Sequence, residues 1–181
     1  MSAKNFNRAV KTLKSGGVIA FPTETVFGIG ALLSKPEAIK RIYKLKKRPR
    51  SKPLQVLVAS LPQALELGKF SKQALELGKK DWPGPLTLIV HKTAKVPKLI
   101  TGGTEKVGLR IPAHRTIIDL VRKCGPIVAT SANEAGEKPS LTAKEVKQKL
   151  AALDYILPGR VKHGKPSKVI DATGRVKVLR S

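Results

Sequence analysis

Apolar positions recur at helical spacing at the start of the chain, where Phe6, Ala9, Val10 and Leu13 form one stripe that stops at Gly16-Gly17. The continuous apolar run Val18 to Phe21 that follows has the length and character of a buried strand. A second stripe, Ala38, Ile39, Ile42 and Tyr43, predicts a helix that begins at Ser34, where Glu37 three residues on completes a capping box, and that Pro49 ends. Extended runs are predicted at Leu54 to Ala59, Leu86 to Val90 and Ile127 to Thr130. Val107, Leu109 and Ile111 alternate, so a strand there turns Gly108 and Arg110 to its opposite face. Thr142 and Glu145 make a second capping box for a helix carrying Val146 and Leu150. Short strands are expected near Leu153 to Leu157, Lys168 to Asp171 and Val176 to Leu179. QALELGK occurs at 63–69 and again at 73–79, a spacing too short for a solenoid unit, which leaves two similar helical pieces around Phe70-Ser71. Alternating helices and strands with no long linker predict one α/β (α+β) domain over residues 1–181, built on a mixed β-sheet flanked by helices.

Composition narrows the partners. The 181 residues are 41% hydrophobic, enough to bury the core of one domain. No apolar run approaches the ~18 residues of a membrane span, and the start MSAKNFNRAV lacks the apolar stretch of a signal peptide, so a cytoplasmic location is expected. Cys124 is the only cysteine and stands in no zinc-like spacing with His91, His114 and His163, so neither a disulfide nor a structural metal is expected. The 36 Lys+Arg against 12 Asp+Glu give a formal charge of +24, which attracts polyanions and makes a nucleotide or nucleic acid the natural partner. Much of that charge also serves as ordinary solvated surface, so only clusters carry information. With aromatics at 4%, a base-stacking platform is poorly supplied, and RNA binding through shape and phosphates is favoured over base reading.

Two familiar phosphate motifs fail on inspection. The segment from Gly159 to Lys165 nearly spells a P-loop, but Pro166 stands where a hydroxyl and a backbone N–H are required. Gly28-Ile29-Gly30 could open a dinucleotide fingerprint, yet Leu33 occupies the place of the third glycine. No GxSxG elbow and no Cys near a His suggest covalent catalysis. Three other groups remain. Phe21 to Gly28 packs Thr23, Glu24 and Thr25 into a Gly/Pro-bounded loop after a strand, either a plain turn or the corner of a site. Lys46, Lys47, Arg48, Arg50 and Lys52 put five cations in seven residues around Pro49, which suits a helix C-terminus and also a triphosphate, with Arg48 able to make bidentate contacts. Ser131-Ala132-Asn133 after a buried strand offers a hydroxyl and an amide to a phosphate or to a helix cap.

In this order the pieces resemble the YrdC/TsaC family of threonylcarbamoyl-AMP synthases. The resemblance runs from about Gly17 to the C-terminus through FPTETVFGIGAL, LKKRPRSKPLQVLVA, WPGPLTLIV, VGLRIPAH, IVATSANEAGEKPS, PSKVIDATG and the closing VLR, seven segments in register. It implies a YrdC-like fold whose twisted sheet carries a basic concave groove. The family's KxR pair falls on Lys46 and Arg48 and its SxN pair on Ser131 and Asn133, which implies ATP binding by these four and a catalytic role for Lys46 and Arg48. Its threonine-binding hydroxyl falls on Thr23, and the arginine that holds the threonine carboxylate falls on Arg110. Lys52, Ser140 and Arg180 match positions near the nucleotide, and Ser167 a position near threonine. Leu57 stands where larger archaeal and eukaryotic relatives commonly carry a histidine, which with the absence of an additional C-terminal domain suggests the short bacterial form.

The implied activity joins L-threonine, bicarbonate or CO2 and ATP into threonylcarbamoyl-AMP and pyrophosphate, with Mg2+ accompanying ATP and no protein metal site. The product then passes to a separate transferase complex that modifies tRNA. Such a reaction needs charge neutralisation and alignment more than a strong protein base. Glu24 is a conceivable base, though a carboxylate that fixes the turn is the simpler reading. The alternative from another class is a non-catalytic basic RNA-binding or assembly factor of the same fold. Hydrogenase-maturation carbamoyltransferases share the domain but join it to acylphosphatase-like and zinc-finger modules, for which this chain has no room.

Overall fold

The computed structural model describes residues 1–134 and 136–181 and resolves the pattern into strands and helices of one continuous sheet. Helix α1 (Ala3–Lys14) is capped by the Ser2 hydroxyl, which accepts from the Asn5 N–H, and it ends where Gly16 takes a φ of 86° that a side chain resists. Strand β1 (Ile19–Pro22) turns through residues 23–26 into β2 (Phe27–Leu32), its antiparallel neighbour. Helix α2 (Pro36–Leu45) leads through the basic loop to β3 (Gln55–Leu57), and the repeated QALELGK falls on α3 (Leu61–Leu67) and α4 (Lys72–Asp81), with β4 (Gly68–Lys69) between them. Then come β5 (Leu86–Lys92), β6 (Lys106–Arg110), α5 (Arg115–Cys124), β7 (Ile127–Ser131), α6 (Ala143–Lys149), β8 (Tyr155–Ile156), β9 (Lys168–Asp171) and β10 (Lys177–Arg180).

The sheet runs in the order β10-β9-β5-β6-β3-β7-β2-β1-β8, with β4 pairing onto β5. It is mixed: β1–β8, β3–β6 and β5–β9 are parallel and the other pairs antiparallel. Alternation sorts its residues onto two faces. Ile19 and Phe21 of β1, with Leu57, Ile127 and Ala129, pack against Ala9 and Leu13 of α1 and Ile117, Leu120 and Val121 of α5. Ala20, Phe27, Ile29, Val56, Val107, Leu109 and Val128 pack on the other face with α2 and α3. Helices α1 and α5 therefore cover one half of their face and leave the half over β5, β6 and β9 open.

One expected start is corrected. Helix α2 begins at Pro36 with Lys35 as its N-cap and no side-chain cap, so Ser34 and Glu37 form no capping box. A residue preceding proline is driven out of the α region, so Lys35 ends the extended chain and Ser34 lies too far back to reach the first turn. At Thr142 half of the box forms: its hydroxyl accepts from the Glu145 N–H, while the Glu145 carboxylate accepts from the Leu141 N–H and the Thr142 hydroxyl and not from the Thr142 N–H.

Candidate active site

The open half of the sheet is the floor of a cleft of about 470 Å³. Gln55 of β3, Thr87 and Ile89 of β5, Gly108 and Arg110 of β6, Ser131 of β7 and Val169 and Asp171 of β9 line it. They are same-face positions of five strands, the consequence of a side-chain period of two. The walls are Thr25 and Val26 from the β1–β2 turn, Arg48 and Pro53 from the basic loop, and Leu179 and Arg180 from β10. The predicted alternation at 107–111 holds, with Val107 and Leu109 in the core and Arg110 facing the cleft.

Arg110 is buried, and its surroundings are fully specified. Its guanidinium donates to Glu24 Oε1 at 2.6 Å, to Thr25 Oγ1 at 3.1 Å and to the Gly84 carbonyl at 3.1 Å. Glu24 is buried as well, which makes this an ion pair sealed from water on its inner side. Among the described residues Glu24 Oε2 has no hydrogen-bond partner. Burial lowers the Arg110 pKa and Glu24 opposes that, so the cation is retained by its partner. The Thr23 hydroxyl is occupied within the turn: it donates to the Val26 carbonyl at 2.7 Å, lies 2.7 Å from Thr25 Oγ1 and accepts from the N–H groups of Thr25 and Val26. Within this turn it is Thr25, not the expected Thr23, that lines the cleft.

At the basic loop the cations part company. Arg48 lines the cleft and donates through Nε to the Lys52 carbonyl at 3.3 Å and through Nη2 to the Pro53 carbonyl at 2.9 Å, so its guanidinium is braced without a counter-anion. Lys52 is exposed and contributes that carbonyl. Lys46 is only 1% exposed and lies behind the Ser131–Asn133 loop, as do Asn133 and Ser140. Asn133 donates its amide to the carbonyls of Glu134 and Glu137, and its Oδ1 has no partner among the described residues. At the far end Ser167 and Arg180 form a unit: Arg180 donates to the Ser167 carbonyl at 2.8 Å and to its hydroxyl at 3.2 Å, and Ser167 Oγ lies 2.9 Å from Thr87 Oγ1.

Of the residues expected from sequence, Arg48, Arg110, Ser131, Ser167 and Arg180 thus meet in one cleft, while Thr23, Lys46, Asn133 and Ser140 stand behind its walls. Sequence reasoning missed Gln55, Thr87, Lys106 and Asp171. Lys106 donates to Asp171 Oδ2 at 2.8 Å, and burial, which raises the Asp171 carboxyl, is outweighed by Lys106 and by the hydroxyl and N–H of Thr173, which hold it at about 2. Of the four cleft cations, Lys106 and Arg110 are paired with carboxylates and Arg48 and Arg180 are not, among the described residues; Arg110 uses only Nε and Nη2 in its contacts, so its Nη1 stays open to an anion beside Arg48 and Arg180. Among the described residues no three His, Cys, Asp or Glu side chains gather to hold a metal ion, and no helix is long and apolar enough to cross a membrane.

Fold and cleft together are those of a mixed-sheet domain whose cleft is walled by two arginines without carboxylate partners among the described residues, and comparison identifies its kind. Residues 11–181 match the family model Sua5/YciO/YrdC, described as telomere recombination, and the chain belongs to that family. It is 39% identical over 165 residues to the threonylcarbamoyl-AMP synthase of Pyrococcus abyssi, a match that covers 89% of this chain and 48% of that protein. With the threonylcarbamoyl-AMP synthase of Vibrio campbellii it shares 36% identity over 175 residues, covering 93% of this chain and 95% of the relative. The crystal structure of P. abyssi Sua5 complexed with L-threonine superposes with a TM-score of 0.92 at 38% identity, over 97% of this chain and 53% of that one. This chain therefore spans about half the length of the archaeal relative and nearly all of the bacterial one.

Proposed function

We propose that this chain is an L-threonylcarbamoyladenylate synthase, a nucleotidyltransferase that condenses L-threonine, bicarbonate or CO2 and ATP into threonylcarbamoyl-AMP and pyrophosphate. The observation that carries the reading is the convergence of Arg48, Ser131, Arg110, Ser167 and Arg180, from segments far apart in sequence, on one cleft of substrate size. The relatives named above bear that activity in their names, and one is bound to L-threonine.

Arg110 and Ser167 take the threonine carboxylate and its neighbourhood, with the Thr25 hydroxyl beside them, and Thr23 acts by holding Thr25 in its turn. Arg48 and Ser131 take the phosphates, and Arg180 closes the other wall. Threonine's amine combines with CO2, releasing a proton, or with bicarbonate, releasing water, to a carbamate, whose oxygen bonds to the α-phosphorus as the bond from that phosphorus to the oxygen bridging to the β-phosphate breaks and pyrophosphate leaves. The side chains neutralise the charge gathered at that phosphorus and align the carbamate oxygen for in-line attack. Asp171 is paired with Lys106 and Glu24 with Arg110, so Mg2+ would accompany the triphosphate as part of the substrate and would help neutralise its charge.

The product serves tRNA threonylcarbamoyladenosine formation by a separate transferase complex in the cytoplasm, and the formal charge of +24 supports direct contact with tRNA or duplex RNA. An RNA-binding factor without chemistry has no use for a buried Glu24–Arg110 pair held against a substrate-sized cleft. Pyrophosphate release that requires ATP, L-threonine and bicarbonate together tests the reading. Serine should be a poorer substrate by the value of one methyl, about 1 kcal/mol, and valine should fail by more. Pyrophosphate formed without threonine overturns the reading.

A further inference from the structure

Lys46 differs from the four other cations of its run. Its ammonium is buried and donates to the Ser131 carbonyl at 2.6 Å and to the Asn133 carbonyl. The carbonyl between them, that of Ala132, accepts from the Ser140 hydroxyl at 2.5 Å. Ser140 is itself tied to the sheet, its carbonyl accepting from the Phe27 N–H at 3.0 Å. The carbonyls of residues 131 to 133 thus each accept from a buried side chain behind the loop, that of Ser131 also from the Asn133 N–H at 3.1 Å, while Ser131 faces the cleft.

We propose that Lys46 is a positioning residue that never touches the nucleotide: with Ser140 it draws the carbonyls of residues 131–133 inward, so that an anion in the cleft meets the Ser131 hydroxyl and not three carbonyl dipoles. The inference rests on the reading of the cleft as an ATP site. A carbonyl oxygen facing a phosphate repels it, and in a partly dry cleft that repulsion is little screened. The turn therefore binds phosphate only while its carbonyls are held back. The brace also depends on charge. Burial brings the Lys46 ammonium down to about 8, Arg48 on the same loop pushes the same way, and Glu137 across the loop opposes them.

The test is MgATP affinity by calorimetry between about pH 7 and about pH 10, where ATP is fully ionised, for the wild type, Lys46→Arg, Lys46→Met, Ser140→Ala and the Lys46→Met/Ser140→Ala double variant. Wild-type affinity should fall roughly tenfold as pH rises through about 8, because a neutral amine is the weaker donor. Lys46→Arg should bind evenly over the whole range, since a guanidinium does not lose its proton there. Ser140→Ala, altered outside the cleft, should weaken binding several-fold, and the double variant should be no worse than Lys46→Met alone, as both side chains brace one loop. The proposal is overturned by wild-type affinity that stays level with pH, by Ser140→Ala binding as the wild type does, or by losses in the double variant that multiply. If Lys46→Met does not fold, the wild-type pH profile and Ser140→Ala decide. A wild type that fails to bind ATP at pH 7 removes the parent reading. One that turns over its three substrates but shows a level pH profile removes only the brace.

Discussion

Replacing Glu24 with alanine strips the buried guanidinium of Arg110 of its only carboxylate partner among the described residues. The two side chains are 2–3% exposed and meet at 2.6 Å, so water cannot enter to replace the lost charge without opening the β1–β2 turn. Arg110 keeps neutral acceptors, Thr25 Oγ1 and the Gly84 carbonyl, both at 3.1 Å. Breaking a buried pair from one side costs about 3–5 kcal/mol, and the surviving acceptors put this case at the lower end, about 3 kcal/mol. For a chain of this size that is roughly a 10 °C loss in Tm. Glu24→Gln, which keeps an acceptor and loses the charge, should fall between Glu24→Ala and the wild type. Arg110→Met combined with Glu24→Ala removes both charges, so the double variant should be more stable than the sum of the single costs by at least about 2 kcal/mol. Urea and thermal unfolding at one pH of the wild type, Glu24→Ala, Arg110→Met and the double variant measure this cycle, with Glu24→Gln alongside. Glu24→Ala within about 1 kcal/mol of the wild type, or strictly additive variants, would refute the account of Arg110 as a cation held in place by Glu24.

Three further outcomes are expected. Arg48→Ala should fold normally, since Arg48 braces only the carbonyls of residues 52 and 53, yet lose about a hundredfold in pyrophosphate release, on the order of 3 kcal/mol at the transition state; near-normal turnover would contradict its contact with phosphate. Asp171, held at about 2 against its ordinary 3.8, contributes stability that is fully present above pH ~4 and disappears as pH falls through about 2, so the stability gap between wild type and Asp171→Asn should close over that acid window and stay constant above it. Binding to duplex RNA should fall on the order of a thousandfold between about 50 and about 200 mM salt with little sequence preference, and an affinity indifferent to salt would count against phosphate contacts.

Much of this was legible in the chain because the relevant signals are local. The stripe of α1, the turn-bounded run of β1, the twin helices of QALELGK and the alternation that sends Arg110 to the cleft all follow from period and punctuation. Strand β2 was not, because FGIGAL carries two glycines and reads as a loop or a nucleotide fingerprint. The glycines answer to packing instead: a Cβ on Gly30 would lie 2.7 Å from the Val128 carbonyl oxygen, and one on Gly28 would lie 3.1 Å from the Phe21 ring. Helix α5 had its signal in Ile117, Leu120 and Val121, which stand at helical spacing, and it went unread. The site divided along the same line. Motif position found Arg48, Ser131 and Arg110, but the Glu24–Arg110 pair joins residues 86 apart, and no local pattern announces it. Burial of Lys46 was equally hidden, since a run of five cations looks like solvated surface until the fold sets one of them behind a loop.

On the proposed reading, the bond made in this cleft joins a threonine-derived carbamate to the α-phosphorus of ATP. Incubating the protein with ATP, L-threonine and carbon-13 bicarbonate and weighing the adenylate product by mass spectrometry tests it most directly. The expected product is an AMP adduct that contains both threonine and the labelled carbon, formed in step with one pyrophosphate per molecule. A threonine adenylate without the labelled carbon, or AMP and pyrophosphate released with no adduct when threonine is left out, would contradict it.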